Sequence, residues 1–309
     1  MRVTFDSRPA HDPRGIGRYA SCLLEALRQT AAPGDEVAEA ARPRRGEVFH
    51  SPWIDGALLR PPGPQVVTLH DVVPLKRRSE YLRTGIRFRM RYLAVQRSAR
   101  VIVPTAVVAA EVTEHVGIDP DHIVVIHEAP AAELYERGDD EVAAARARYR
   151  LPEEYLLWVG GLQTPDPRKR VAALARTPRE LPLVLVGATK PWAHELTGVT
   201  LTGHVPDDQL AAIYSGARAL VFPSDDEGFG LPTVEALACG TPVVATDIPV
   251  LREVLGDRAT FVAAGDLEGL LAAGAAATRP APAPPPWSWA DAAHATWRVY
   301  SDVARRSAA

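Results

Sequence analysis

Residues 225–245 read Asp225-Asp226-Glu227-Gly228-Phe229-Gly230-Leu231-Pro232-Thr233-Val234-Glu235-Ala236-Leu237-Ala238-Cys239-Gly240-Thr241-Pro242-Val243-Val244-Ala245, and this stretch decides the fold. The apolar run Ala219–Phe222 just before it reads as a buried strand, 223–230 as a loop, and Leu231–Ala238 as a helix with proline in its first turn. Gly240 and Pro242 stop that helix, and the next strand begins at Val243. Glu227 therefore stands at the mouth of a strand–loop–helix unit, where open parallel sheets bind ligands. Glu235 falls in the first helical turns, beside backbone N–H groups able to hold a diphosphate. An acidic surface loop followed by a glutamate that favours the positive end of a helix would show the same Glu-x7-Glu spacing, so spacing alone leaves both readings open.

Working outward, short apolar segments alternate with helical ones through most of the chain. Strands are expected at 3–5, 66–70, 101–104 and 123–126, then at 155–159, 183–186, 201–202, 219–222, 243–245 and 260–262. Helices are expected at 19–29, about 80–98, 106–116 and 139–150. Apolar strands alternating with helices imply parallel, doubly wound sheets. A chain of 309 residues with 47% hydrophobic content is long enough for two such domains. The expected division is an N-terminal Rossmann-like domain, 1–135, and a C-terminal one, 151–279. A Pro-rich linker, 280–287, then leads to an amphipathic helix, 288–309, bearing Trp297 and Tyr300.

Composition removes several classes of function. A formal charge of −3 lacks the basic field of a general nucleic-acid binder. Cys22 and Cys239 have no metal-ligand spacing and cannot build a disulfide framework, which fits a reducing, cytoplasmic setting. No run approaches the roughly 20 apolar residues needed to cross a bilayer, and no signal peptide is visible. The segment Gly15-x-Gly17-x-x-Ala20 fits the regular expression of a dinucleotide-binding turn. That reading needs a tight strand-to-helix turn, whereas a long polar loop separates this strand from the glycines.

Five segments together resemble the family 4 retaining glycosyltransferases (glycosyl transferases group 1), and within it the bacterial mannosyltransferase-like members. They are the 225–245 stretch, Asp6-Ser7-Arg8 with Gly15-Ile16-Gly17-Arg18-Tyr19, Phe49–Trp53 with Leu69-His70-Asp71-Val72-Val73-Pro74-Leu75, Trp158–Leu162 with Pro167-Arg168-Lys169-Arg170, and Leu201–Leu210. The resemblance implies the GT-B fold, α/β with two Rossmann-like domains facing a central cleft, the C-terminal helix crossing back to complete the first, acceptor-side domain. It implies His70 and Glu227 as catalytic residues beside the donor sugar. Gly15, Gly17, Arg168, Lys169, Val205, Gly228, Phe229, Gly230, Leu231 and Glu235 would bind the donor, Lys169 ahead of Arg168 at the diphosphate and Glu235 at the ribose. No metal site and no cofactor are implied, the nucleotide sugar being the substrate. Two departures stand out: Gly161 lies where relatives often carry Arg, and His127-Glu128-Ala129-Pro130 where they often show Asn-Gly.

Between Lys76 and Arg100 lie nine basic residues and one acidic residue, Glu80. Leu82, Ile86, Met90 and Leu93 recur there at helical spacing. Either this is a solvated helix face, or Arg83, Arg87 and Arg91, together with Arg18, meet a phosphorylated or lipid-linked acceptor or an anionic membrane. The expected protein is a cytoplasmic enzyme, with peripheral contact at the inner membrane face left open. It would move a hexose from a nucleoside diphosphate sugar, GDP-mannose slightly favoured, to a hydroxyl of a glycan, lipid-linked or small-molecule acceptor in polysaccharide, glycolipid or natural-product glycosylation. A non-catalytic sugar-nucleotide-binding subunit, a glycosidase using the carboxylates as an acid–base pair, and a dinucleotide oxidoreductase are the competing readings.

Overall fold

The computed structural model describes residues 1–12, 15–44, 47–77 and 86–308, with backbone alone at Ile86, Arg87 and Ala308. Arg83, Glu80 and Leu82 of the basic segment lie outside the described residues. The chain forms two compact units, one of residues 1–12, 16–128 and 287–309, the other of 13–15 and 129–286.

In the first unit the elements run β1 (Arg2–Phe5), α1 (Gly15–Gln29), β2 (Glu36–Glu39), β3 (Val48–Ser51), β4 (Gln65–Thr68), α2 (Val73–Lys76), α3 (Ile86–Gln96), β5 (Arg100–Val103), α4 (Ala106–Val116) and β6 (Ile123–Val125). The strands form a six-stranded sheet in the order β2-β1-β3-β4-β5-β6, with every pairing parallel. Strands buried on both faces read as unbroken apolar runs, and Val66, Val67, Val101, Ile102 and Val103 are all essentially inaccessible. Thr105 caps α4 by accepting from the Val108 N–H, and Gly117, in the left-handed region, ends it.

The second unit runs α5 (Asp139–Tyr149), β7 (Leu156–Val159), α6 (Val171–Arg176), β8 (Leu183–Val186), β9 (Val199–Gly203), α7 (Asp207–Gly216), β10 (Ala219–Phe222), α8 (Leu231–Ala238), β11 (Val243–Thr246), α9 (Pro249–Leu255), β12 (Thr260–Val262) and α10 (Leu267–Ala276). Its sheet has the order β12-β11-β10-β7-β8-β9, again all parallel. Winding starts at β7, runs outward to β9, then returns to the other side at β10. The core beneath it gathers Leu156, Trp158, Leu174, Leu183, Leu185, Val221 and Leu270.

Two strands were not foreseen from the pattern. β2 is a half-exposed edge strand of sequence Glu-Val-Ala-Glu, too short and polar to stand out. β3 is fully buried although it contains His50 and Ser51. Those polar groups are admitted because they are satisfied: the Ser51 hydroxyl donates to the Trp53 carbonyl at 2.8 Å, and both His50 ring nitrogens have hydroxyl partners. A further difference concerns Gly15 and Gly17, expected in a loop before a helix at 19–29 and found in the first turn of α1. A Cβ on Gly17 would lie 1.9 Å from the Asp12 carbonyl oxygen and 2.9 Å from that of Pro9. This glycine lets its own chain fold back closely, a need that accounts for it without a ligand.

The last helix, α11 (Trp289–Ala308), belongs to the first unit. It is amphipathic, and its inner face carries Ala293, Trp297, Tyr300 and Val303. Trp297 donates its indole N–H to the Leu27 carbonyl at 3.2 Å, and Arg100 pairs with Asp302 at 2.7 Å. The Tyr300 hydroxyl meets His50 Nδ1 at 2.6 Å, while His50 Nε2 meets Thr68 Oγ1 at 2.9 Å. Thr68 Oγ1 in turn meets the Tyr19 hydroxyl at 3.0 Å. Burial, with the charge of nearby His70, pushes His50 down to about 3, so the ring is neutral and one nitrogen donates while the other accepts. Tyr300→Phe removes one partner of that ring and leaves its nitrogen buried. The expected cost is about 1–3 kcal/mol, read as a lower urea midpoint for the transition of this unit. Tyr135→Phe, at a position 52% exposed, should stay within about 0.5 kcal/mol of the wild type.

Candidate functional site

In the second unit the strand order reverses between β7 and β10, so the loops leaving these two strands diverge and open a crevice at their carboxyl ends. The loop after β10 holds Asp225, Asp226, Glu227, Gly228 and Phe229, and the segment after β7 carries Arg168, Lys169 and Arg170. The structure brings these two groups together. Asp225 donates its backbone N–H to the Arg168 carbonyl at 3.0 Å. Arg168 places Nη1 3.7 Å from Glu227 Oε2 and Nε 3.0 Å from Asp166 Oδ2. Arg170 Nη1 lies 3.8 Å from Asp225 Oδ2. Asp166 fixes the turn from below by accepting the Arg168 N–H, and Arg170 closes it at φ 52° in the left-handed region.

Of the two basic residues expected at the diphosphate, Arg168 is the one beside Glu227. Lys169, next to it, sets its ammonium 6.0 Å from the centre of the Trp158 ring. The helix that follows the acidic loop starts at Gly230, whose φ of 89° and packing against Leu251 exclude a side chain. Pro232 sits in its first turn, and Thr233 returns its hydroxyl to the Gly230 carbonyl at 2.7 Å. Phe229 and Leu231 are buried and anchor the loop, while Glu227 keeps partial exposure.

Glu235 lies one turn into α8 and is 2% exposed. The Tyr214 hydroxyl, from α7, donates to Glu235 Oε2 at 3.0 Å. Tyr214 carries no functional signal in the sequence, because an apolar helix position bearing tyrosine reads as core. Val205 is buried just after β9, next to the exposed His204. Cys239 closes α8 fully buried, and burial pushes its thiol up to about 12, so it is an inert packing group.

The first unit gathers a second set of groups at the carboxyl ends of its strands. After β1, Asp6 is fully buried and accepts from Arg8 Nε at 2.8 Å, Arg8 Nη2 at 2.7 Å and the Trp53 indole N–H at 2.9 Å. After β4 comes His70, whose Nδ1 lies 3.1 Å from Glu128 Oε1 and whose Nε2 lies 3.0 Å from the Pro52 carbonyl oxygen. Tyr19 meets the His70 ring edge-on, with centroids 4.5 Å apart. Asp71 accepts the Val73 N–H at 3.2 Å and orders the following turn. Burial opposes a charge on His70, but the hydrogen bond and charge of Glu128, the Pro52 carbonyl and Asp71 outweigh it and raise the pKa. The sequence carries no signal for this role of Glu128, whose segment departs from the family pattern.

Arg18 lies half-buried in the first turn of α1. On α3, Arg89, Met90 and Leu93 are exposed, as is Arg97 just after it. Arg91, however, pairs with Asp55 at 2.8 Å, Lys76 pairs with Glu111, and Arg100 is buried against Asp302. Part of the local positive charge is thus neutralised within the unit. Among the described residues, no group of three or more His, Cys, Asp or Glu could hold a metal ion, and no helix is long and apolar enough to cross a membrane.

Known proteins share both the sequence and the architecture. The family described as Glycosyltransferase Family 4 matches residues 9–129, and that described as Glycosyl transferases group 1 matches residues 153–277. The serotype-specific mannosyltransferase WbdA of Escherichia coli is 30% identical over 220 residues, covering 63% of this chain and 27% of that protein. The chain spans only about a quarter to a half of the length of the curated relatives it matches. Sucrose-phosphate synthase from Thermosynechococcus elongatus superposes with a TM-score of 0.69 at 20% identity, covering 99% of this chain and 97% of that one. HepE from Anabaena, solved with UDP and glucose, gives a TM-score of 0.69 at 16% identity over 98% and 95% of the two chains. At those identities the solved structures speak to the fold, two Rossmann-like α/β domains of the GT-B type, and the sequence matches speak to descent. With the two family matches following one another over most of the chain, the protein belongs to the family 4 glycosyltransferases and is related to bacterial mannosyltransferases.

Proposed function

We propose that the chain transfers a hexose from a nucleoside diphosphate sugar to a hydroxyl acceptor with retention of anomeric configuration. The observation that carries the reading is the pairing of Arg168 with Glu227 at the strand-order reversal of the second unit, in a chain of this family. A guanidinium half-shielded there by carboxylates suits a diphosphate, because a doubly ionised group can displace Glu227 and take a bidentate, charge-assisted contact. The backbone of 228–231 at the start of α8 would approach the same phosphates. Glu227, released from Arg168, is then free to accept from sugar hydroxyls, and Glu235 from the ribose. The base would rest against the backbone around Val205.

In the proposed step the bond from the anomeric carbon to the diphosphate oxygen breaks and a bond to the acceptor oxygen forms on the same face. The acceptor proton passes to the departing diphosphate. Charge develops on that leaving group, and Arg168 is placed to stabilise it, with Lys169 as a second cation. His70 would serve the reacting region of the sugar. The relatives named mannosyltransferases favour GDP-mannose, whereas HepE was solved with UDP and glucose. A thermal-shift panel of UDP-, GDP- and dTDP-sugars tests this directly, since a ligand that binds the folded state raises stability by mass action. No stabilisation by any nucleotide sugar would overturn the reading. A cytoplasmic location, and acceptor or membrane engagement through Arg18, Arg83, Arg87 and Arg91, belong to the same proposal. With Arg91 tied to Asp55, the exposed Arg89 and Arg97 are the better charges to reverse in testing it.

Arg168→Ala should weaken binding of the nucleoside diphosphate by about 1.5–3 kcal/mol and leave the bare nucleoside little affected, as read by calorimetry. Lys169→Ala should cost less, because its ammonium stands by Trp158. Equal loss for nucleoside and diphosphate would place Arg168 in the scaffold alone.

Glu235→Ala should weaken the nucleoside itself, while Glu227→Ala should cut turnover with nucleotide affinity retained. Lower stability with unchanged nucleotide affinity in Glu235→Ala would make this carboxylate a buried partner of Tyr214 and nothing more.

A further inference from the structure

His70 has an acceptor at each ring nitrogen. The Pro52 carbonyl oxygen faces Nε2 at 3.0 Å and can only accept. Glu128 faces Nδ1 at 3.1 Å with a side chain only 4% exposed, against 22% for His70. A neutral imidazole has one N–H and would turn a lone pair toward one of these oxygens. A ring with both nitrogens protonated satisfies both contacts, and its charge is matched by a carboxylate that would otherwise be buried alone. The pair is neutral as a whole, and the end that reaches solvent is the positive one.

We infer that Glu128 is a positioning residue for His70: together with the Pro52 carbonyl it holds the ring as a fixed imidazolium, so that His70 serves the transfer as a positive group and not as a proton acceptor. This rests on the proposed reading that His70 takes part in hexose transfer. It has a chemical consequence. Neither ring nitrogen is available to deprotonate an acceptor or to accept from a sugar hydroxyl, and the acceptor proton goes to the leaving diphosphate. Tyr19 closes one side of the ring at 4.5 Å, which leaves the polarised C–H edge and the charge as what His70 can offer.

The groups around the ring agree in sign. Glu128 after β6 and Asp71 next in sequence favour the charge; Tyr19 on α1 is buried and stays a neutral phenol. His50 on β3 is itself neutral, and His70 opposes its charging. The raised pKa of His70 means that the charged ring stabilises the fold below its ordinary value of 6.5 and that this contribution is lost as pH rises through the folded value. Activity that depends on the imidazolium should fall over the same alkaline range.

The test uses the full chain labelled with ¹⁵N-histidine, with the His70 resonances assigned by their loss in His70→Asn. The expected wild-type spectrum shows both His70 nitrogens protonated on the acid side of a titration that lies above the ordinary 6.5, and Glu128→Gln should move that titration to lower pH. In donor–acceptor kinetics, Glu128→Gln should lower kcat by about 10–100-fold with donor KM little changed, shift the alkaline limb to lower pH, and be partly rescued by Glu128→Asp. Unchanged thermal stabilisation by the donor nucleotide checks that Glu128→Gln is folded. A wild-type His70 that titrates at or below 6.5, or the same titration in wild type and Glu128→Gln, would overturn the inference. So would a pH profile left unmoved by the substitution. If the wild type turns over no nucleotide sugar, the transferase reading fails, and the spectra still decide whether Glu128 holds the ring charged.

Discussion

Parallel pairing is the constraint on which the rest depends. Two parallel neighbours cannot be joined by a tight turn, so each strand must be followed by a crossover, and the shared strand direction places every carboxyl end at the same edge of the sheet. Both units obey this: all pairings in both sheets are parallel. The loops at that edge are long because they begin crossovers, and they diverge only where the strand order turns back. In the second sheet that point lies between β7 and β10, and in the first between β1 and β3. Arg168 and Glu227 follow the former pair, and Asp6 and Trp53 the latter. The chemistry-bearing residues thus collect there through topology, before any ligand is considered.

The first unit buries several polar groups, and four of them are connected. Tyr300, His50, Thr68 and Tyr19 form one chain of hydrogen bonds from α11 through β3 and β4 to α1. Each member is nearly or wholly inaccessible, so a broken link leaves a polar atom without water to replace its partner. The chain ends at Tyr19, the ring that packs on His70. A helix 230 residues downstream of His70 in sequence (Tyr300 being its contact) therefore helps fix the rotamer of the tyrosine against which that histidine rests. Trp297 and the Arg100–Asp302 pair hold the helix in register for this contact.

Much of the fold was legible because its strands are doubly buried. Leu183–Val186 and Val243–Thr246 contain hardly a polar atom, and glycine or proline stands at their ends. What escaped was polar yet buried. β3 hides His50 and Ser51, and no pattern of hydropathy reveals that Tyr300 will meet one and the Trp53 carbonyl the other. The acidic loop and basic turn of the second unit were visible as motifs, but which cation faces Glu227 depends on the turn at 166–170. Asp166 caps that turn and Arg170 closes it, which leaves Arg168 beside Glu227 and Asp166 and brings the Lys169 ammonium within 6.0 Å of the Trp158 ring. Glu128 was illegible for a related reason: a partner 58 residues away is chosen by the sheet register, which brings β6 and β4 to either side of β5.

Two cation–carboxylate pairs, one in each unit, differ in a way that bears on chemistry. Arg168 is about as shielded as its partner Glu227, the contact is 3.7 Å long, and Asp166 competes for the same guanidinium. Such a pair exchanges partners at modest cost, because an incoming anion replaces one carboxylate by another acceptor and the cation never loses its counter-charge. His70 and Glu128 are closer, at 3.1 Å, and the carboxylate is the deeper partner. Separating them would strand a buried negative charge, so this pair should persist through ligand binding. The loose pair has the properties of a binding group, ready to trade its carboxylate for a phosphate. The tight pair has those of a fixed element of the field, set when the chain folds and needing no reorganisation at the moment of reaction.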